Sequence, residues 1–279
     1  MTRVSVEKGN DYEIWYDKPD PIPDDTMYDF VHYIGPVGKT NVYRRWQLNR
    51  YLNENFKVKT LKVGEQYDLR YPPKHGIIIS APQYSEFLKD IDTDFFYDRT
   101  DNWSANEKYA GMEDWILERA KVITVSARYL HDITPNSVRI DSGANPWNGY
   151  DVEREYIAVY VGKEDGKVDE DLCRKWKLEH PEFRFLSIGR VIPAFDECLP
   201  FMEWEEMMKF ISKCKVGLIP LMVNEYTKGQ FNLKYWDYKQ AGLDVWTTID
   251  YNYQDTEMRY WPEVCKDIIG AYINGSNGD

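Results

Sequence analysis

The sequence predicts an α/β protein built on two parallel sheets, and three observations predict it. Short apolar runs of strand length alternate with stretches patterned as helices along most of the chain. Strands that alternate with helices form parallel sheets, because parallel neighbours need a crossover connection. The alternation runs twice, in two series that part near residues 143–153, and 279 residues suffice for two small cores. The expectation is two Rossmann-like domains whose sheets face a cleft: a lead-in over 1–26, a first domain over 27–150, a second over 151–265, and a tail over 266–279, loose at its end "INGSNGD".

The first series opens after "YDKPDPIPDD", an irregular stretch rich in proline and aspartate. "MYDFVHYI" (27–34) reads as a buried strand, "GPVGKTN" (35–41) as a turn, and 42–55 as a helix with Val42, Trp46, Leu48, Tyr51 and Leu52 on or near one face. "FKVKTLKV" (56–63), "GIIIS" (76–80) and "DFFYD" (94–98) follow as strands. Tyr109, Met112 and Ile116 mark a helix that feeds the strand "VITV" (122–125). Ser126 is placed to cap a short helix, and "SVRID" (137–141) completes the half.

The second series runs through the strand "EYIAVYVG" (155–162), the helix "DEDLCRKWKLEH" (169–180) stopped by Pro181, and the strand "FRFLSIG" (183–189). A helix around 203–213, the strand "KVGLIPL" (215–221), a helix over 233–241 closed by Gly242, and the strand "DVWTTI" (244–249) finish it.

Composition narrows the function. Asp and Glu outnumber Lys and Arg by 47 to 35, a net charge of −12, which disfavours nucleic acid as a general electrostatic partner without excluding a local basic groove. No apolar run approaches the ~18 residues of a membrane span and no secretory leader is seen. Cys173, Cys198, Cys214 and Cys265 form no CxxC pair, so the reading is reduced thiols in a cytoplasmic protein. The 22 tyrosines and 10 tryptophans suit sugar or base stacking and core packing equally.

In open parallel sheets ligands bind beyond the carboxyl ends of the strands, which selects the candidates. Gly35 and Gly38 of "GPVGKTN" allow close approach of the backbone to an anion before a helix start, with Arg44 and Arg45 in the next turn. His32, at the first strand's end, is a candidate base. In "FYDRTDNW" (96–103) Asp98 and Asp101 flank Arg99 at a strand end, where an acid can orient or deprotonate an acceptor hydroxyl; the bland alternative is a salt-bridged turn with Asp101 or Asn102 capping the next helix. Gly162 with Lys163, and Gly189 with Arg190, close two strands of the second half. "DTD" (92–94) mimics a metal-binding triplet but lacks a second ligand, so no metal site is read. Asn232 can cap the helix over 233–241, which puts Lys234 beside its free amides, a setting for a diphosphate, and Asp237 one turn on, within reach of the vicinal hydroxyls of a ribose. The alternative for that pair is a surface ion pair. No GxGxxG follows a strand, which disfavours a dinucleotide oxidoreductase.

The segments in this order resemble the GT-B glycosyltransferases of the family 4-like group, which includes bacterial polysaccharide and teichuronic acid enzymes. The resemblance is carried by "YIAVYVG", "VDEDLCRKW", "HPEFRFLSIG", "LPFMEWEEMMKFISKCKVGLIPL" and "KYWDYKQAGLDVW", and in the first half by "RRWQLNRYL" and "YDRTDNW". Asp237 stands where that group usually has Glu, and "DSGAN" replaces an "NG". The resemblance implies a metal-independent, retaining hexosyltransferase without cofactor, using a nucleotide-sugar donor, with a UDP-sugar expected, and a carbohydrate or other hydroxyl acceptor. Lys234 then neutralises the diphosphate, Asp237 binds the ribose, Gly189 and Arg190 approach the base or phosphate, Asp101 lies near the acceptor, and Glu225 stands where larger retaining members carry a glutamate-rich loop. A transferase acting on modified bases of phage-type DNA and an inactive nucleotide-sugar-binding or interaction protein are the alternatives.

Overall fold

The computed structural model describes residues 28–34, 42–61, 65, 72–89, 93–149, 152–162 and 166–276. The lead-in, Gly35, Gly38 and Lys163 therefore lie outside the described residues. The chain divides into two units. One runs to Asp141 and takes up the chain again from Trp261, and the other is Ser142–Tyr260.

The first unit carries a six-stranded sheet in the order β2-β1-β3-β4-β5-β6, every pair parallel. Its strands are β1 (Phe30–Tyr33), β2 (Val58–Leu61), β3 (Gly76–Ile79), β4 (Phe95–Arg99), β5 (Val122–Val125) and β6 (Val138–Arg139). Alternation along β4 sends its side chains to two helix layers. Phe96 stacks on Tyr272 of α9 (Trp261–Ser276) at 4.7 Å, and Asp98 meets Arg44 of α1 (Val42–Asn55). Phe95 stacks instead on Trp115 of α3 (Ala110–Arg119) at 5.7 Å, and Tyr97 bonds Glu113 of the same helix.

Three expectations change here. The buried face of α1 consists of Arg44, Arg45, Leu48 and Leu52, while Trp46 is exposed; Arg44 is buried over Asp98, an acid below the helix that hydrophobic periodicity does not register. Most of the stretch assigned to a tail, 266–276, belongs to α9, whose Val264, Cys265, Ile268, Ile269 and Tyr272 form one buried helical face. Ser126 does not cap α4 (Arg128–Asp132); it donates to the Thr100 carbonyl at 3.3 Å. A one-turn helix, α2 (Ser85–Leu88), follows β3 and was not foreseen.

The second unit carries a five-stranded parallel sheet in the order β11-β10-β7-β8-β9. Its strands are β7 (Glu155–Val161), β8 (Arg184–Ile188), β9 (Glu197–Leu199), β10 (Cys214–Ile219) and β11 (Asp244–Thr247), of which β9 is not among the sequence-predicted strands. α5 (Glu170–Glu179) begins where Asp169 accepts a hydrogen bond from the Leu172 amide at 2.9 Å. α6 (Trp204–Ile211) precedes β10 and α8 (Lys234–Gln240) follows it, with the single turn α7 (Glu225–Lys228) between. The docking of α8 depends on Gly217 in β10: a Cβ there would lie 2.3 Å from the Tyr238 ring, so glycine makes the room that this tyrosine fills. The Tyr238 hydroxyl then accepts from the Val161 amide at 3.0 Å and faces the Leu218 carbonyl at 3.4 Å, fixing α8 to two neighbouring strands. The left-handed Gly242 (φ 76°) ends the helix, and Arg154 donates to the carbonyls of Ala241 and Gly242. All four cysteines are free thiols. Among the described residues no helix is long and apolar enough to cross a membrane.

Candidate functional site

The switch point of the second sheet lies between β7 and β10: the chain runs from β7 outward to β8 and β9, then returns to build β10 and β11 on the other side. Ligands in such sheets bind at this crevice, beyond the strand ends. The structure brings Lys234 there. Its Nζ lies 4.5 Å from the centroid of the Tyr160 ring, and a Cβ on Gly162, just past β7, would sit 2.7 Å from that Nζ. Gly189, just past β8, has φ 86°, a conformation that only glycine adopts without strain, and a Cβ there would sit 3.0 Å from the Gly162 carbonyl. Two glycines thus open the strand ends over which the lysine reaches.

The first turn of α8 is set by Asn232, whose side-chain oxygen accepts from the Lys234 amide at 3.2 Å. The regular helix starts at Lys234 with Leu233 at its cap position, so Asn232 stands one residue before the expected cap and still bonds the first helical amide. Asp237, one turn on, accepts a hydrogen bond from Trp204 Nε1 at 3.1 Å. Trp204 is in turn braced edge-on by Trp147, ring centroids 5.8 Å apart. Burial pushes the Asp237 carboxyl from the ordinary 3.8 up to about 6, against the Trp204 hydrogen bond and the Lys234 charge, which lower it. Between pH 4 and 6 the folded protein therefore keeps a proton that the unfolded chain has lost, so raising the pH through that window removes stability. Asp237→Asn is expected to melt with wild type at pH 4 and above it at pH 7, by an amount of order 2 kcal/mol. Parallel melting curves for the two proteins from pH 4 to 7 would show the carboxyl to be solvated instead.

Arg190 is buried, and its Nη2 donates to Glu170 of α5 at 3.0 Å, while Nε and Nη1 have no hydrogen-bond partner. It keeps donors for an anion at the end of β8. Glu225 opens α7 and pairs with Lys228 at 2.6 Å, with both side chains exposed.

In the first unit, Asp98 is fully buried. It accepts from Arg44 through Nε and Nη2 and from Thr124 Oγ1 at 2.9 Å. With its oxygens so occupied it anchors α1 to the sheet. Arg99 pairs with neither flanking aspartate: Glu113 of α3 takes its Nε and Nη2, at 3.0 and 2.7 Å, and also accepts from Tyr97 and Ser104. The salt-bridged turn is thus replaced by a buried network with a helix partner, and Asn102 accepts from Arg99 instead of capping. Asp101 is buried at the end of β4, where it accepts from Thr100 Oγ1 at 3.2 Å. His32 is fully buried, and burial depresses its imidazole from 6.5 to about 4.

Sequence reasoning missed Trp204, Tyr160, Glu170 and Glu113. Glu113 had a signal, an acid one turn from Ile116 on the buried helix face. The other three are joined to their partners only by the fold.

Solved structures share this arrangement of sheets. An alpha-glucosyltransferase in complex with UDP and a 13-mer DNA containing a central A:G mismatch is 9% identical to this chain, with a TM-score of 0.55, and the match covers 90% of this chain and 91% of that one. Anabaena Alr3699/HepE in complex with UDP-glucose is 7% identical with a TM-score of 0.54, over 90% of this chain and 93% of that one. A trehalose-6-phosphate synthase studied for glycosyltransfer with retention is 9% identical with a TM-score of 0.51, over 89% and 97%. The fold is that of the GT-B glycosyltransferases. No protein-family model and no curated protein matches the sequence. At these identities the GT-B likeness establishes the fold and not the reaction.

Proposed function

We propose that the protein is a glycosyltransferase that moves a sugar from a nucleotide sugar to a hydroxyl acceptor. The observation that carries this reading is the convergence of Lys234 on the glycine-opened ends of β7 and β8, at the switch point of the second sheet. Lys234 and the open donors of Arg190 neutralise the diphosphate, and the carboxylate of Asp237, held by Trp204, takes the ribose hydroxyls. The exposed ring of Phe201, beside Gly189, offers a face to the base. In the reaction the acceptor oxygen bonds the anomeric carbon, the bond from that carbon to the diphosphate oxygen breaks with its electron pair, and the acceptor proton is released. Fixed cationic donors stabilise the charge that develops on the leaving group, so the reading needs no metal. UDP as the nucleotide is supported by the UDP and UDP-glucose named for two fold neighbours, retention by that named for the synthase, and the family 4-like assignment by the segment order in the sequence.

A second reading, transfer to a base in DNA, is favoured by the DNA complexes of the alpha-glucosyltransferase and opposed by the charge of −12. The test is thermal stability of the protein with UDP, GDP, ADP and their glucose conjugates, with and without EDTA, followed by a transfer assay with sugar and DNA acceptors. A ligand at 100 times its Kd stabilises by about 2.7 kcal/mol. The expected result is stabilisation by uridine ligands, indifferent to EDTA and lost in Asp237→Ala. Stabilisation without any transfer points to an inactive binding protein, and no stabilisation by any nucleotide ends the proposal.

A further inference from the structure

Among its described residues the first unit buries three arginines, and two of them are neutralised: Arg44 by Asp98 and Arg99 by Glu113. Arg45 is not. It is 6% exposed, and its Nε and Nη2 are buried without a hydrogen-bond partner. A buried guanidinium with no counter-charge is strongly unfavourable, and among the described residues none supplies one, so its retention calls for an anion from outside them.

The surroundings say what else that anion carries. Arg45 lies one turn before Asn49 on α1, on the same face, and Asn49 meets His32 of β1, which places Arg45 at the β1 side of the sheet, in the first turns of the helix that follows that strand. Asn49 Oδ1 faces His32 Nδ1 at 3.2 Å, and a carboxamide oxygen only accepts, so the imidazole proton is on Nδ1. His32 Nε2 is left as a buried lone pair with no donor. Ser80, just past β3, and Ser85, at the start of α2, are fully buried with hydroxyls that have no partner. All of this lies at one topological position. β1 and β3 are neighbours whose chains leave in opposite directions, β1 through α1 to β2 and β3 through α2 to β4. That is the switch point of the first sheet, the same kind of crevice that holds Lys234 in the second.

We propose that the switch point of the first sheet binds a small hydroxylated phosphate ester, with Arg45 Nε and Nη2 taking two phosphate oxygens side by side and His32 Nε2 accepting a hydrogen bond from a hydroxyl of the same molecule. On the transferase reading this ligand is the acceptor, and to that extent the proposal rests on it. The guanidinium fork matches two oxygens of a phosphate, and the buried serine hydroxyls supply donors for the remaining ones. A nucleic-acid backbone offers the same group, but the net charge of −12 opposes a polyanion where a single phosphate carries little repulsion.

The test uses the full chain, as wild type, Arg45→Met and Arg45→Lys, with calorimetric titration of inorganic phosphate, glucose 6-phosphate, fructose 6-phosphate, glucose, glucuronate and a short DNA duplex, and UDP in parallel. The expected result is binding of the phosphate and sugar-phosphate probes, weakened at least tenfold in Arg45→Met and less in Arg45→Lys, with UDP affinity unchanged. Ligand-free Arg45→Met is expected to melt no lower than wild type, because it removes an uncompensated buried charge. Equal sugar-phosphate binding by Arg45→Met overturns the proposal, as does glucuronate binding as well as the phosphates, duplex DNA being the only Arg45-dependent ligand, or no phosphate binding by wild type. UDP binding with no phosphate binding refutes this site and leaves the transferase standing. Sugar-phosphate binding through Arg45 with no nucleotide binding supports this site and refutes the transferase.

Discussion

Lys234→Ala is expected to slow sugar transfer by about 10²–10³-fold, the loss that follows removal of one fixed donor aimed at developing charge. The ammonium is held over the Tyr160 ring at the mouth of the β7–β10 crevice, where two glycines keep the strand ends open. The helix itself does not rely on this side chain. Its first turn is set by Asn232 and its seat in the sheet by Tyr238 in the space above Gly217, so the variant keeps its melting temperature to within a few degrees. The pair of measurements is therefore turnover and thermal stability on the same preparation. Lys234→Arg tests whether charge alone suffices, since a planar fork does not replace a point charge in a fitted place. Turnover within threefold of wild type for Lys234→Ala would return the residue to a packing role over Tyr160.

Asp98→Ala is expected to have the largest effect on the first unit, a loss of about 3–5 kcal/mol, because it strands Arg44 in the interior. Arg44 gives its Nε and Nη2 to this carboxylate and Nη1 to the Ile140 carbonyl at 2.7 Å, so the pair ties α1, β4 and the segment after β6 together. Asp98→Asn keeps the shape and part of the hydrogen bonding and is expected to lose less. Urea unfolding measures both, with nucleotide binding as a control on the second unit. A stable Asp98→Asn protein that has lost transfer would mean that Asp98 acts on the substrate and not on Arg44.

Much of the architecture could be read before the structure, because parallel strands buried between helices announce themselves as apolar runs. β5 over 122–125 and α1 over 42–55 coincide with their sequence assignments. The tail reading failed because α9 mixes Gly270 and Gly275 with its apolar face, and glycine argues against helix when only propensity is consulted. α2 and α7 are single turns, too short to show a period, and β9 has three residues. At the candidate site, Lys234, Asp237 and Asn232 were legible because one helix start arranges all three. Trp204 lies 33 positions from Asp237, and no local pattern joins them. Arg45 was placed in the right turn, but its burial was not visible, since a cation on a helix face reads as solvated until the surface beneath it is known.

The return of α9 to the first unit has a consequence for how the protein is made. Phe96 of β4 and Thr124 of β5 are covered by Tyr272, and a ribosome reaches Tyr272 only after the whole of Ser142–Tyr260. The second unit can close on itself as soon as it emerges. The first, though it leaves the ribosome earlier, has an apolar sheet face open until α9 arrives. The usual order of co-translational folding, in which the N-terminal unit is finished first, is thus reversed here. α9 closes a unit begun before Ser142–Tyr260, and while that stretch is being made the nascent chain carries an exposed sheet face that a chaperone would recognise.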